Sequence, residues 1–254
     1  MVQRHFMILS LGHLIIRLIG IIDLILLTTI MYLASFLPNK VIRPIYDKCF
    51  RYWCHVFIRA MGISLYRHEK NHKALPQQYI VISNHPSALE DIGMPYLFPA
   101  RYLAKIEVKN WWIVGRISTA AGSLYVHREC KDSRKDAGQE LLDVLAQGDS
   151  IGLYPEGGCK GRRIHLPFRW GAFDIAIQSG VPILPVFLHH EAQEQFEWQN
   201  QHLMHKIWMM STAQNNRVNY YVYDAIDSTQ FSDKKALCEH VQNLYLEWQK
   251  RYLD

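Results

Sequence analysis

Tyr79-Ile80-Val81-Ile82-Ser83-Asn84-His85-Pro86-Ser87-Ala88-Leu89-Glu90-Asp91 opens as an apolar run, breaks at Asn-His-Pro, and then places two carboxylates within six residues of a histidine. A short continuous run of β-branched and aromatic residues, closed by polar breakers, reads as one buried strand. His85 then stands at the strand's carboxyl end, beyond which ligands bind in open α/β sheets. The chain has 13 histidines, and one alone says little; an acid partner at short spacing sets this one apart. A general base needs its second ring nitrogen held by an acceptor that fixes the tautomer and stabilises the imidazolium formed in the reaction. Glu90 and Asp91 are the two candidates.

Working outward, Ser150-Ile151-Gly152-Leu153-Tyr154 reads as a second buried strand, running into Pro155-Glu156-Gly157-Gly158-Cys159-Lys160-Gly161-Arg162-Arg163. Glycines let backbone amides approach a ligand closely, and Lys160, Arg162 and Arg163 favour an anionic head group; a solvated basic turn has the same composition. Ala121-Gly122-Ser123-Leu124-Tyr125-Val126-His127-Arg128 and Gly180-Val181-Pro182-Ile183-Leu184-Pro185-Val186-Phe187-Leu188 are two further short apolar strands punctuated by Gly or Pro.

These four blocks, in this order, resemble the lysophosphatidic acid acyltransferase superfamily of glycerolipid acyltransferases, whose pattern is N-H-x-x-x-x-D, G-x-x-x-x-x-R, P-E-G-T-R and V-P-I-x-P-V. Here they read NHPSALED, GSLYVHR, YPEGGCKGRR and VPILPVFL, between Tyr79 and Leu188. The resemblance implies direct transfer of an acyl chain from an acyl thioester to a lysolipid hydroxyl, with His85 as base. Counting from His85, the family aspartate falls on Glu90, which makes Glu90 the expected orienting acid and Asp91 the reserve. Arg128 matches the second-block arginine, and the resemblance implies that it contacts the acceptor's head group. The third block departs: threonine and arginine are replaced by Gly158 and Cys159. The head-group cation is then expected from Lys160 or Arg162, or the acceptor is a lysolipid other than lysophosphatidate. Glu156 is expected to order the cleft or bind acceptor hydroxyls, and amides around Gly157 and Gly158 to stabilise the oxyanion. Lysophosphatidate is the expected acceptor. The alternatives are another lysolipid such as lyso-ornithine lipid, a thioester hydrolase, and a catalytically silent lipid-binding scaffold.

The amino terminus adds a membrane expectation. Leu18 to Leu37 is twenty residues with one charge, Asp23, about the length that crosses a bilayer core, and the apolar character extends back through Phe6–Ile16. Asp23 lies near one end, where a charge costs less than the ~2.5–3.5 kcal/mol of a helix centre. Lys40, Arg43, Lys48, Arg51 and Arg59 follow, mixed with Ile42, Ile45, Tyr46, Phe50, Trp53, Val56, Phe57 and Ile58. This reads as a basic aromatic helix against an anionic membrane surface, the inner membrane if the source is bacterial, with the active site on the cytoplasmic side. Spanning and interfacial placements of the first helix both fit.

The remaining periodicities complete an α/β fold: a central, mostly parallel sheet flanked by helices, preceded by the N-terminal membrane-associated helical segment. Helices are expected over Asp132–Gly148, around Phe173–Ile177 and over Lys234–Leu253, with a late strand over Val218–Ile226. The expected division is residues 1–62 as membrane-associated helices and 63–254 as the acyltransferase domain. Five cysteines without a C-x-x-C pair fit reduced thiols. Cys159 is a nucleophile candidate because neighbouring cations lower a thiol's pKa. His189, His190, Glu191 and Glu194, and His202 with His205, are weak metal candidates, and no metal or other cofactor is expected. The donor is coenzyme A-linked or carried by acyl carrier protein. The net charge of +5, without stacking motifs, points to anionic lipid and away from nucleic acid.

Overall fold

The computed structural model describes the backbone of residues 2–198 and 202–254, and the side chains of these except 2–14, 39–42, 44 and 203. The expectations placed on the side chains of Phe6 to Leu14, of Lys40 and of Ile42 lie outside the described residues.

Two long helices come first, α1 (Val2–Ala34) and α2 (Asn39–Ala60). They form an antiparallel hairpin, close enough at Gly20 that a Cβ there would lie 3.1 Å from the Ala60 Cα. Seven strands follow: β1 (Ser64–Glu69), β2 (Ile80–Ser83), β3 (Arg101–Lys105), β4 (Leu124–Val126), β5 (Ile151–Leu153), β6 (Ile183–His190) and β7 (Arg217–Val222). They make one sheet in the order β1-β7-β6-β2-β5-β3-β4. Every pairing is parallel except β6 with β7. Between the strands lie α3 (Glu90–Leu97), α4 (Ile106–Lys109), α5 (Trp112–Ala120), α6 (Lys131–Ala146), α7 (Gly171–Ser179), α8 (Gln193–Phe196) and α9 (Leu203–Thr212), and α10 (Lys234–Tyr252) closes the chain.

Alternation along the central strands builds two cores. Ile80, Ile82, Ile183 and Phe187 pack on one face with Leu141, Leu145, Phe173, Leu237, Val241 and Tyr245 of α6, α7 and α10. Val81, Leu184, Val186 and Leu188 pack on the other with Leu89, Met94, Phe98 and Tyr220. A parallel strand covered on both faces has no polar side, which is why β2 and β6 read as unbroken apolar runs. The fold is the expected one, an α/β sheet flanked by helices, with β1 and β3 as strands the pattern did not announce.

The helical hairpin departs from expectation. Trp53, Val56 and Ile58, expected to face lipid, are buried; α2 turns them onto α1, α3, α5 and the sheet. Tyr46 is also buried and donates to the Met31 carbonyl at 3.0 Å. Apolar side chains on a helix that already has a protein groove to fill go into that groove. The side of α2 left outward carries Ile45, Lys48, Tyr52 and Arg59.

Candidate active site

Three neighbouring parallel strands, β6, β2 and β5, end at the same edge of the sheet. His190 is the last residue of β6, His85 lies two residues beyond β2, and Tyr154 and Glu156 follow β5. Asn84 fixes the exit of β2: its amide donates to the Leu188 carbonyl at 3.0 Å, and its carbonyl accepts from the Leu188 amide at 2.8 Å. The side chain thus continues the ladder for one residue and turns His85 off the strand.

His85 is 5% exposed and Glu90 fully buried. The His85 Nδ1 lies 2.9 Å from Glu90 Oε2. The same carboxylate oxygen accepts from the Ser87 amide at 2.7 Å, and Oε1 pairs with His190 Nε2 at 2.8 Å. Burial works to raise the Glu90 carboxyl, but the bonds from His190 and His85 outweigh it and hold the group below its ordinary range. An ionised Glu90 accepts only, so its imidazole partners donate to it: His85 carries its proton on Nδ1 and presents the Nε2 lone pair. Burial disfavours a charge on His85; Cys159 and Glu90 reverse that, so its pKa lies well above the ordinary value. The Tyr154 ring stacks on the imidazole, centroids 4.1 Å apart, and blocks its rotation.

Asp91 does not reach the base in this way. One residue further round α3, it opens into the cleft beside His85 and is pushed upward chiefly by the protein packed around it. Glu156 is committed to backbone: Oε1 accepts from the His85 amide at 2.9 Å and Oε2 from the His165 amide at 3.0 Å. Burial nonetheless raises Glu156 to about 7. It clips the His85 turn to the segment that follows the third block.

Arg128, beyond β4, donates to the Gly157 carbonyl at 2.7 Å. A Cβ on Gly158, at φ +151, would stand 3.0 Å from the guanidinium, so the two glycines form the bed on which Arg128 lies. Lys160 is exposed and Arg162 is drawn away, bonded to Gln193 at 2.6 Å and facing Glu197. Neither lines the cleft, which corrects the expectation that one of them takes over the head-group position. Cys159 is half-buried, 3.3 Å from His85 Nε2, and its thiol can also donate to the Ser87 carbonyl at 3.2 Å. Burial raises its thiol and outweighs the downward pull of His85, so its company is the base and not the cations expected around it.

His85, Asp91, Arg128, Tyr154 and Cys159 line one end of a cavity of about 620 Å³. The rest of its wall is made by apolar side chains, among them Phe50, Trp53, Phe57, Ile92, Val114 and Ile117 from α2, α3 and α5, together with the charged Asp47, Arg51, Arg101, Lys105 and Asp149. A proton acceptor and a guanidinium thus face a chamber with a largely apolar wall. His190, Tyr154 and Asn84 are the residues that sequence reasoning missed at this site. His190 was visible only as part of a weak metal set, and it is 100 residues from the carboxylate it holds. Among the described residues, no group of three or more His, Cys, Asp or Glu side chains is arranged to hold a metal ion.

Residues 64–189 match the Acyltransferase family. The chain is 27% identical over 115 residues to the 1-acyl-sn-glycerol-3-phosphate acyltransferase of Neisseria gonorrhoeae, covering 45% of each chain. It is 26% identical over 175 residues to the lyso-ornithine lipid O-acyltransferase of Pseudomonas aeruginosa, covering 68% of this chain and 66% of that one. The matches to 1-acyl-sn-glycerol-3-phosphate acyltransferases span about half the length of those relatives. The crystal structure of the 1-acyl-sn-glycerophosphate (LPA) acyltransferase of Thermotoga maritima superposes with a TM-score of 0.62 at 17% identity, covering 95% of this chain and 96% of that one.

Proposed function

As the chain belongs, through residues 64–189, to the lysophosphatidic acid acyltransferase superfamily, we propose that it transfers an acyl group from an acyl thioester to the hydroxyl of a lysolipid. The observation that carries this reading is the His85–Glu90 pair at a cavity with a largely apolar wall. Glu90 fixes the tautomer, and Nε2 takes the proton of the attacking hydroxyl. The chamber behind it suits an acyl chain, with the thioester carbonyl left beside the base. Among the described residues, the backbone amides of Gly158 and Cys159 donate to no protein carbonyl and are available to an oxyanion. An intact base, acid partner and cavity argue against a silent scaffold.

For the acceptor we propose lysophosphatidate, with Arg128 as the cation on its phosphate. Lyso-ornithine lipid is the second reading. One observation favours it: with Cys159 in the third block and Arg162 turned to Gln193, a phosphate has lost one of its expected partners. The relative from Pseudomonas aeruginosa bears that name and matches over more of this chain than the Neisseria gonorrhoeae enzyme does. The test is the full chain in detergent with labelled acyl-coenzyme A and each lysolipid in turn, products separated and identified. Acylated lysophosphatidate, reduced at least ~10-fold in Arg128→Ala, supports the first reading; acylation of lyso-ornithine lipid alone supports the second. Turnover with no lysolipid would overturn both.

The membrane reading follows from α1. Ile15–Ala34 is long and apolar enough to cross a bilayer, yet the helix is tied to the domain along its length. Arg17 donates to the Ser211 carbonyl of α9 at 2.9 Å. Tyr32 packs edge-on to Trp112 of α5 with ring centroids 6.3 Å apart. Those contacts are separated by roughly 22 Å of helix. A helix docked on the domain at both points lies along its surface. Its outward face shows Leu18, Ile19, Ile22, Ile25, Leu26 and Leu33, beside exposed Trp112 and Trp208. This is the form of an interfacial apolar face with tryptophans at its rim. We therefore place the chain in the membrane surface, on the cytoplasmic side.

A further inference from the structure

Direct transfer requires the acceptor hydroxyl to sit at His85 Nε2, and in this chain that position is taken. The nearest group to Nε2 is the Cys159 Sγ, at 3.3 Å. The lone pair on Nε2 is fixed there by Glu90, which holds the Nδ1 proton at 2.9 Å. The ring cannot swing to another partner because Tyr154 is stacked on it and His190 and the Ser87 amide hold Glu90 in place. Nucleophile, base and orienting acid therefore form a continuous chain, Cys159–His85–Glu90, the arrangement by which a thiol is activated for covalent catalysis. Both the thiol and the base line the apolar cavity in which the acyl chain is placed. Cys159 stands where the pattern this chain resembles has an arginine, so the triad is a property of this sequence.

We propose that Cys159 is a catalytic nucleophile and that transfer proceeds in two steps through an acyl-cysteine. This rests on the acyl-transfer reading of the same site. In the first step the Cys159 thiol gives its proton to His85 Nε2 and the sulfur attacks the carbonyl of the donor thioester. The tetrahedral intermediate collapses by breaking the bond to the donor sulfur, which leaves as a thiol with the proton from His85. One thioester has replaced another, so the step needs no further reactant. In the second step the lysolipid hydroxyl gives its proton to the freed Nε2 and its oxygen attacks the Cys159 thioester. The carbon–sulfur bond breaks, the ester leaves, and His85 returns the proton to the Cys159 sulfur. The sum is acyl thioester plus lysolipid alcohol giving ester plus free thiol.

The full chain in detergent, mixed with palmitoyl-coenzyme A and no acceptor, tests this by intact mass and peptide mapping. The expected result is one palmitoyl group on Cys159, an equal amount of free coenzyme A thiol, and discharge of the adduct by neutral hydroxylamine. Lysophosphatidate added to the isolated adduct should take the chain from it. Cys159→Ala should form no adduct at this position and lose transfer. Because the adduct is read on the unaltered protein, the test does not depend on the variant folding. Wild-type transfer to a lysolipid with no adduct on Cys159, an adduct confined to exposed Cys130, or a Cys159→Ala protein with full turnover would overturn the covalent step while leaving acyl transfer standing. An adduct on Cys159 that no lysolipid discharges would uphold the first step and overturn the acceptor reading.

Discussion

Replacing His190 by alanine should shrink the stability that ionised Glu90 lends the fold, although His190 lies on the far side of Glu90 from the reaction. Glu90 Oε1 has His190 Nε2 as its donor at 2.8 Å and is fully buried, so no water replaces the lost partner. A hydrogen bond to a charged group is worth about 1.5–3 kcal/mol. The bond favours the ionised carboxylate over the protonated one, and 1.36 kcal/mol corresponds to about one pH unit. The Glu90 carboxyl, held low in the native protein, should therefore rise by about one to two units. The sign follows from linkage. A carboxyl with a depressed folded-state pKa stabilises the fold above its unfolded value, and this is lost as the pH falls through the folded value. In the variant the folded value moves toward the unfolded one, so the contribution is smaller and its loss is complete at a higher pH. The assay is the unfolding temperature as a function of pH across the acid range. His190→Gln, which keeps an N–H donor, should recover most of the shift and separates it from the loss of ring packing on Phe196. A superimposable profile of unfolding temperature against pH in His190→Ala would refute the reasoning.

Other perturbations separate the remaining roles. Glu90→Ala should abolish transfer and Asp91→Ala should retain it, since only Glu90 bonds the base; the reverse outcome in a transfer assay would move the orienting role by one residue. Glu156 is raised to about 7 by burial, so its contribution to stability is present below the ordinary carboxylate range and lost as pH rises through about 7. Glu156→Gln should remove that slope from the unfolding temperature measured between acid and neutral pH. Gly152→Val should destabilise by about 1–3 kcal/mol in denaturant unfolding, because even a Cβ there would collide with the Tyr102 ring. Trp208→Ser, at 67% exposure, should weaken binding to anionic vesicles by roughly ten-fold or more, from the ~1.5–3 kcal/mol that burying a large side chain supplies, with unfolding unchanged.

How much of this was legible in the sequence depends on the range over which each contact acts. Strands β2, β5 and β6 announced themselves because strands covered on both faces need apolar residues at every position. Ser64–Glu69 and Arg101–Lys105 did not: β1 is an edge strand, and edges carry Arg, His and Glu, while β3 is half-exposed. His85 was readable from local spacing. The choice between Glu90 and Asp91 needed the structure, because one residue of helix rotates a side chain by about 100° and the Ser87 amide holds only Glu90 in place. His190 reaches Glu90 from 100 residues away along the chain and Cys159 reaches the base from 74, and nothing in their own surroundings marks either contact. The outward reading of α2 failed because amphipathic periodicity fixes which residues share a face and leaves open whether protein or lipid covers it.

Transfer of a labelled acyl chain from acyl-coenzyme A to lysophosphatidate, measured in a single turnover for the native chain and for His85→Ala at matched folding, bears on the whole assignment at once. Because the buried His85 ring is bonded to Glu90 at 2.9 Å, the comparison is made at a temperature where both proteins are folded, with His85→Gln, which keeps an N–H donor, run beside His85→Ala. The base at the mouth of the acyl cavity predicts acylated product from the native chain and none above background from His85→Ala. Equal product from both proteins would contradict it.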